Sequence, residues 1–227
     1  MNFHVLTLFP DMIEEACSHS ILKRGAAAGH IRINCVNIRD FAVNKHGQVD
    51  DAPYGGGAGM VMMAPPVYDA FMSIGHPNAR FIYLSPQGKK FNQSIGAELA
   101  REENIILLCG HYEGVDQRVL DILKPEEISI GDYILTGGEP AALVVIDAVA
   151  RLVPGVVGKG DSISNESFSC SLDGMLEYPQ YTRPSVFKDM AVPAVLLSGH
   201  HGQVEAWRKA ESEEHTRQKR PDLLEGR

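Results

Sequence analysis

Short apolar runs alternate with amphipathic stretches along the first two-thirds of the chain. Phe3-His4-Val5-Leu6-Thr7-Leu8-Phe9 predicts an opening strand, and Pro10-Asp11-Met12-Ile13 begins a helix that extends, with a break, to about Gly25. Residues 31–38 alternate apolar and polar positions and predict a second strand. Arg80–Leu84, Ile105–Cys109 and Ile128–Ile130 predict three more. Between them, residues 65–74, Asn92–Glu103 (Asn92 as its cap), Val115–Leu123 and Glu139–Val153 carry helical patterns. Pro140 suits the first turn of the last helix, and Pro154-Gly155 stops it. Strands that alternate with helices in this way predict an α/β fold, a mostly parallel sheet with helices on both faces.

After Gly155 the pattern changes. Small and polar residues without a period predict a mobile connection as far as Pro179. Beyond it, Gln203 to Arg217 predicts one amphipathic helix with Val204, Trp207 and Ala210 on its apolar side, the main element of a small helical C-terminal domain. The expected organisation is residues 1–158 as the main domain, 159–180 as linker and 181–227 as the small domain.

Three strands empty into turns rich in glycine and proline: Leu84-Ser85-Pro86-Gln87-Gly88, Gly110-His111-Tyr112-Glu113-Gly114, and Ile130 to Gly138. Turns that converge on the carboxyl ends of parallel strands form the crevice where open α/β sheets bind ligands. Glu113, Asp116 and Asp132 border these turns, so the ligand is expected to be neutral or cationic. Asp116 reads equally as an ordinary cap of the helix that follows it. A fourth glycine cluster, Gly55-Gly56-Gly57-Ala58-Gly59, lies in a long polar loop. It lacks the Gly-Lys-Ser/Thr ending of a phosphate loop, no G-x-G-x-x-G follows the first strand, and the cluster reads as a substrate-closing loop.

Composition narrows the classes. A hydrophobic fraction of 44% over 227 residues supports a packed core without staples. The four cysteines are scattered without a C-x-x-C pair, which excludes a disulfide scaffold or zinc module. Neither a signal peptide nor a membrane-length apolar run appears, so a cytoplasmic protein that does not enter membranes is expected. The net charge of −8 argues against nonspecific nucleic-acid binding, although Arg217-Gln218-Lys219-Arg220 is locally basic. Arg151 closes the long apolar helix four residues after Asp147, and Glu166 follows Asn165 in the connection. Neither stands out from its local role by spacing alone.

Five ordered segments resemble the bacterial tRNA (guanine-N1)-methyltransferases, the TrmD type of the SPOUT superfamily. They are Asp50-Asp51-x-Pro53-Tyr54-Gly55-Gly56-Gly57-x-Gly59-Met60, Leu84 to Gly88, Cys109-Gly110-x-Tyr112-Glu113-Gly114-Val115-Asp116, Ser129 to Glu139, and Tyr181-Thr182-Arg183-Pro184. The resemblance covers nearly the whole chain. It implies a SPOUT-type α/β sheet with a C-terminal trefoil knot whose loops hold S-adenosylmethionine. Mapped onto this sequence, the cofactor residues are Tyr83, Leu84, Ser85, Pro86, Gly110, Glu113, Ser129, Ile130, Gly131, Asp132, Tyr133, Ile134, Leu135, Gly137 and Gly138. Tyr54, Gly55, Gly56, Gly57 and Gly59 map to the substrate loop.

The resemblance further implies a homodimer whose active sites draw on both subunits, with tRNA held by the linker and the small domain. The family's catalytic aspartate falls on Glu166 and its supporting arginine on Arg151. The acid is therefore one methylene longer than the family pattern, and Ala58 stands where proline is common. The family reaction requires magnesium, but no ligand cluster in the sequence identifies a metal site. Two other readings are weighed. A SPOUT enzyme acting on another RNA position or on ribose 2′-OH is disfavoured by the five-segment match, and a ribose methylase would not need an acid at that place in the linker. A non-catalytic RNA- or nucleotide-binding module needs neither Arg151 nor Glu166.

Overall fold

The structure, a computed structural model, describes residues 1–158 and 165–225. The first six residues of the expected linker, 159–164, lie outside the described residues. The chain separates into two compact units, Met1–Gly158 and Lys159–Arg227.

In the first unit β1 (Asn2–Thr7) leads to α1 (Pro10–Cys17), α2 (Ser20–Ala27) and β2 (Arg32–Asn37). The short strands β3 (Asp50–Asp51) and β4 (Val61–Met62) pair antiparallel and bracket the glycine-rich loop. Then come α3 (Ala64–Ile74), β5 (Arg80–Lys90), α4 (Gln93–Leu99), β6 (Asn104–Cys109), α5 (Gln117–Leu123), β7 (Glu126–Ser129) and α6 (Glu139–Ala150). Among the described residues five strands form one sheet in the order β2-β1-β6-β5-β7, and every neighbouring pair is parallel. The expected mixed α/β architecture is present, with helices packed on both faces.

Side-chain alternation explains the two faces. Phe3 and Val5, Ile105 and Leu107, and Ile82 and Leu84 pack into one buried cluster beneath α1, α4 and α6. Leu6, Ile106, Leu108, Phe81 and Tyr83 pack into the other, with Val67 and Ala70 of α3 and Val119 of α5. A parallel strand buried on both sides must be apolar at consecutive positions, which is why Ile105–Cys109 shows no polar break. Each fully buried Leu or Ile contributes roughly 1.5–3 kcal/mol. At the amino-terminal edge of the sheet, Arg80 bridges Glu126 of β7 at 2.7 Å and Glu98 of α4 at 2.5 Å.

Several element boundaries differ from expectation for local reasons. The first helix divides at Ser18–His19, where the Ser18 N–H turns back to the Glu15 carbonyl at 3.1 Å and Ser20 takes a positive φ. Ser85–Gly88 is not a terminal turn but an irregularity inside β5, because Leu84 and Lys89 both pair with Ile128. Asn92 caps α4 as expected, its Oδ1 accepting from the Ile95 N–H at 3.0 Å.

In the second unit a two-strand hairpin, β8 (Val186–Phe187) with β9 (Met190–Ala191), precedes the helices α7 (Ala194–Leu197) and α8 (His201–Lys219). The unit is thus not purely helical. Val204 and Trp207 of α8 are half-buried, but Ala210 is exposed and the fully buried positions are Ser212 and Thr216. Polar stitching places them inside. Ser212 Oγ donates to the Leu176 carbonyl at 2.6 Å, and Thr216 Oγ1 accepts from the Leu176 N–H at 3.0 Å.

His4 is a buried exception to the apolar β1 pattern, and its Nε2 has no hydrogen-bond partner. Desolvation, then the nearby His76 ring at 5.0 Å, lowers its pKa below the ordinary value, against a hydrogen bond with Asn104. The unfolded chain therefore binds a proton more readily than the folded one. The associated stability is complete above the ordinary histidine pKa of about 6.5 and is lost as pH falls below it. The melting temperature should drop between pH 7.5 and pH 5.5, and His4→Gln should narrow that drop. An unchanged pH slope in the variant would remove His4 from the account.

Candidate active site

The carboxyl ends of β6 and β7 flank the irregular middle of β5, and these segments surround a cavity of about 430 Å³. It is built from the first unit alone. Tyr83, Leu84, Ser85 and Pro86 come from β5, Gly110 and Glu113 from the turn after β6. Ser129, Ile130, Gly131, Tyr133, Ile134, Leu135, Gly137 and Gly138 come from the segment between β7 and α6. Fourteen of the fifteen expected cofactor positions therefore meet at one site. Asp132 does not line it. Its carboxylate is exposed and pairs with Lys90 Nζ at 2.5 Å.

Much of this wall is main chain. The Gly138 N–H donates to the Gly110 carbonyl at 2.9 Å, and His111 bridges Gly137, so the second and third turns are pinned together. A Cβ on Gly138 would lie 2.6 Å from Cys109 Cα, which shows how closely the start of α6 approaches the end of β6. Ser129 Oγ both donates to the Gly131 carbonyl (3.0 Å) and accepts from its N–H (3.2 Å), which orders the next turn.

Of the three bordering carboxylates, Glu113 alone lines the cavity. Asp116 takes its capping role: it accepts from the Arg118 N–H at 2.9 Å and pairs with the Arg118 guanidinium, which holds its carboxyl below the usual range. Glu127 also borders the cavity; burial, and after it the Glu127 carboxylate, raises the Tyr83 phenol above its ordinary value. The site is thus bounded by negative rather than positive charge. Burial raises Cys109 well above an ordinary thiol, so it cannot serve as a thiolate nucleophile beside the cavity.

The glycine-rich loop is tied to the same wall. The Glu113 N–H donates to the Met60 carbonyl and the Met62 N–H to the Gly114 carbonyl, each at 2.9 Å. A Cβ on Gly59 would lie 2.6 Å from Glu113 Cγ, so the loop end lies directly against that side chain. Gly55, Gly56, Gly57 and Gly59 all have positive φ, and Tyr54 at the loop tip is 99% exposed.

Full-length comparison decides the class. The family model for the tRNA (guanine-1)-methyltransferase TrmD matches residues 1–226. The chain belongs to the TrmD family. It is 54% identical over 227 residues to the tRNA (guanine-N(1)-)-methyltransferase of Carboxydothermus hydrogenoformans, covering 100% of this chain and 88% of that protein. The namesake protein of Caldanaerobacter subterraneus is 56% identical over 225 residues, covering 99% and 92%. That of Clostridioides difficile is 49% identical over 227 residues, covering 98% and 97%.

The two candidate catalytic residues fall in different units. Arg151 caps the carboxyl end of α6, its N–H donating to the Asp147 carbonyl at 3.2 Å. Glu166 is half-buried in the second unit, and its carbonyl accepts from the Ser169 N–H at 3.1 Å. Among the described residues no group of three or more His, Cys, Asp or Glu side chains is placed to hold a metal ion. No helix of the described residues is long and apolar enough to cross a membrane.

Sequence reasoning also omitted His111, Tyr112 and Gln117 from the site, though all line the cavity. His111 and Tyr112 lay within a recognised turn and were legible by position. Gln117 opens α5, where nothing in the sequence signals a wall residue.

Proposed function

We propose that this chain transfers the methyl group of S-adenosylmethionine to N1 of the guanine immediately 3′ of the anticodon in tRNA. Membership of the TrmD family supports the reaction, and the observation that carries the site is the cavity between the ends of β6 and β7 and the irregular middle of β5. Its volume of about 430 Å³ suits a nucleoside-sized ligand, its close backbone approaches leave N–H and C=O groups to recognise one, and Glu113 opposes positive charge. S-adenosylmethionine supplies an electrophilic methyl carried on a sulfonium cation. The neighbouring carboxylates suit that cation better than a phosphate.

Guanine N1 is protonated at neutral pH and is a poor nucleophile until that proton leaves. Glu166 accepts it as general base, and Arg151 stabilises the negative charge that grows on O6. The glycine-rich loop from Tyr54 to Gly59 closes over the substrate, its motion reported to the cavity through Glu113. The segment from Ser129 to Gly138 belongs to a trefoil knot, a reading that rests on the family resemblance. Residues 159–180 serve as linker, and residues 181–227 grip the tRNA. The working unit is a cytoplasmic homodimer. The exposed apolar Tyr133, Ile134 and Leu135 at the cavity rim support a surface covered by a second copy. Magnesium, which the family reaction needs, has no assigned ligands here.

Labelled S-adenosylmethionine and tRNA with guanine or adenine 3′ of the anticodon test the proposal. Mass spectrometry should place the label on N1 of that guanine and on nothing in the adenine tRNA. Label on a ribose or on another base would replace the proposed target, and failure of the chain to bind S-adenosylmethionine in calorimetry would remove the reaction.

A further inference from the structure

Glu139 is a fully buried carboxylate that the transfer chemistry does not use. It sits at the first position of α6, where an acid ordinarily faces solvent and the helix dipole. A buried carboxylate is costly unless its lone pairs are engaged. Here Thr7 Oγ1 donates to Oε1 at 2.5 Å, and His111 Nε2 meets Oε2 at 2.6 Å. The Phe9 N–H donates to Thr7 Oγ1 at 2.9 Å, which leaves the hydroxyl proton directed at the carboxylate.

Three chain segments meet on this one group. Thr7 ends β1, His111 opens the turn after β6, and Glu139 begins α6. His111 lines the cavity, whereas Thr7 is fully buried outside it. The Phe9 ring covers the imidazole at 5.1 Å. A Cβ on Gly137 would collide with that imidazole and lie 2.8 Å from Glu139 Oε2, so the third turn is shaped around the pair.

We propose that Thr7, Glu139 and His111 form a positioning relay that fixes the spacing between the Gly110–Gly114 and Gly137–Gly138 walls of the cavity. It rests on the reading of that cavity as the S-adenosylmethionine site. Thr7 orients the carboxylate, the carboxylate holds the imidazole, and the imidazole sets the turn. Through Thr7 and Glu139, neither of which lines the cavity, the relay acts on cofactor affinity from behind its wall.

Thr7→Val tests it, since valine keeps the shape and removes the hydroxyl. Calorimetry should show S-adenosylmethionine Kd raised about tenfold, the scale of a lost hydrogen bond to a charged group. The KM for S-adenosylmethionine should rise by a similar factor, while kcat at saturating cofactor stays within about threefold of wild type. Thr7→Ser should restore the affinity, and Glu139→Gln, similar in shape but uncharged, should weaken it as Thr7→Val does. Melting curves establish that each variant is folded. Folded Thr7→Val and Glu139→Gln proteins with wild-type affinity would overturn the relay. So would a loss spread evenly over kcat and both KM values that Thr7→Ser does not repair. A wild-type protein that fails to bind S-adenosylmethionine would overturn the cofactor reading itself, a result distinct from either.

Discussion

Glu166→Gln should lower single-turnover methyl transfer by about 10²-fold or more, the scale of lost general-base catalysis. The amide keeps the size and hydrogen-bonding reach of the carboxylate but cannot accept the N1 proton. The cavity assigned to S-adenosylmethionine is built wholly from the first unit, and Glu166 belongs to the second. Cofactor affinity by calorimetry should therefore remain within about twofold of wild type, and the loss should appear in kcat rather than in the KM for S-adenosylmethionine. Glu166→Asp shortens the side chain by one methylene and gives a second reading. A base that works by proton acceptance should keep far more activity as aspartate than as glutamine. Near-normal transfer by Glu166→Gln would show that another group removes the proton.

The extra methylene of Glu166 illustrates what the sequence can and cannot carry. A carboxylate at that position is legible because the surrounding motifs set the register. Its placement relative to guanine is not, because reach depends on how the connection folds. The sheet was far more legible. Ile105–Cys109 declares itself as a strand, since its unbroken apolar run suits a strand covered on both faces. Two of the cavity's three turns were readable for the same reason, as the places where β6 and β7 end; the third, Ser85–Gly88, is an interruption within β5.

What escaped was long-range and polar. Glu139 looks like a routine first-turn acid until its burial against Thr7 and His111 is seen, partners 132 and 28 residues away. Ser212 and Thr216 look like the polar side of α8, yet their hydroxyls bind the Leu176 backbone and draw them inside. Asp132 reads as a site carboxylate because it sits between site residues, but its side chain is exposed and pairs with Lys90. Hydrophobic periodicity reports which side chains avoid water. It carries no information about which buried polar groups find each other.

Gly138→Ala should damage the cavity wall through backbone crowding. The backbone at this position has φ −79° and ψ −13°, a conformation that alanine adopts freely, so no torsional penalty arises. The obstacle is space. The added methyl would lie 2.6 Å from Cys109 Cα and 3.0 Å from the Gly110 nitrogen. These are backbone atoms at the end of β6, which is flanked by β1 and β5, so they cannot swing away as a side chain could. The amino end of α6 must retreat instead, and the Gly138 to Gly110 hydrogen bond lengthens with it. Overpacking of this kind costs about 1–3 kcal/mol, and at the upper end the same strain corresponds to roughly 10²-fold in S-adenosylmethionine affinity. Gly202→Ala is the control. It lies inside α8 with nothing within 4 Å of the added methyl, and alanine there should leave stability unchanged or raise it by up to about 1 kcal/mol. Calorimetry and thermal unfolding on both variants separate crowding from glycine loss in general. If Gly138→Ala melted and bound S-adenosylmethionine like the wild type, the close approach of α6 to β6 would have no part in shaping the site.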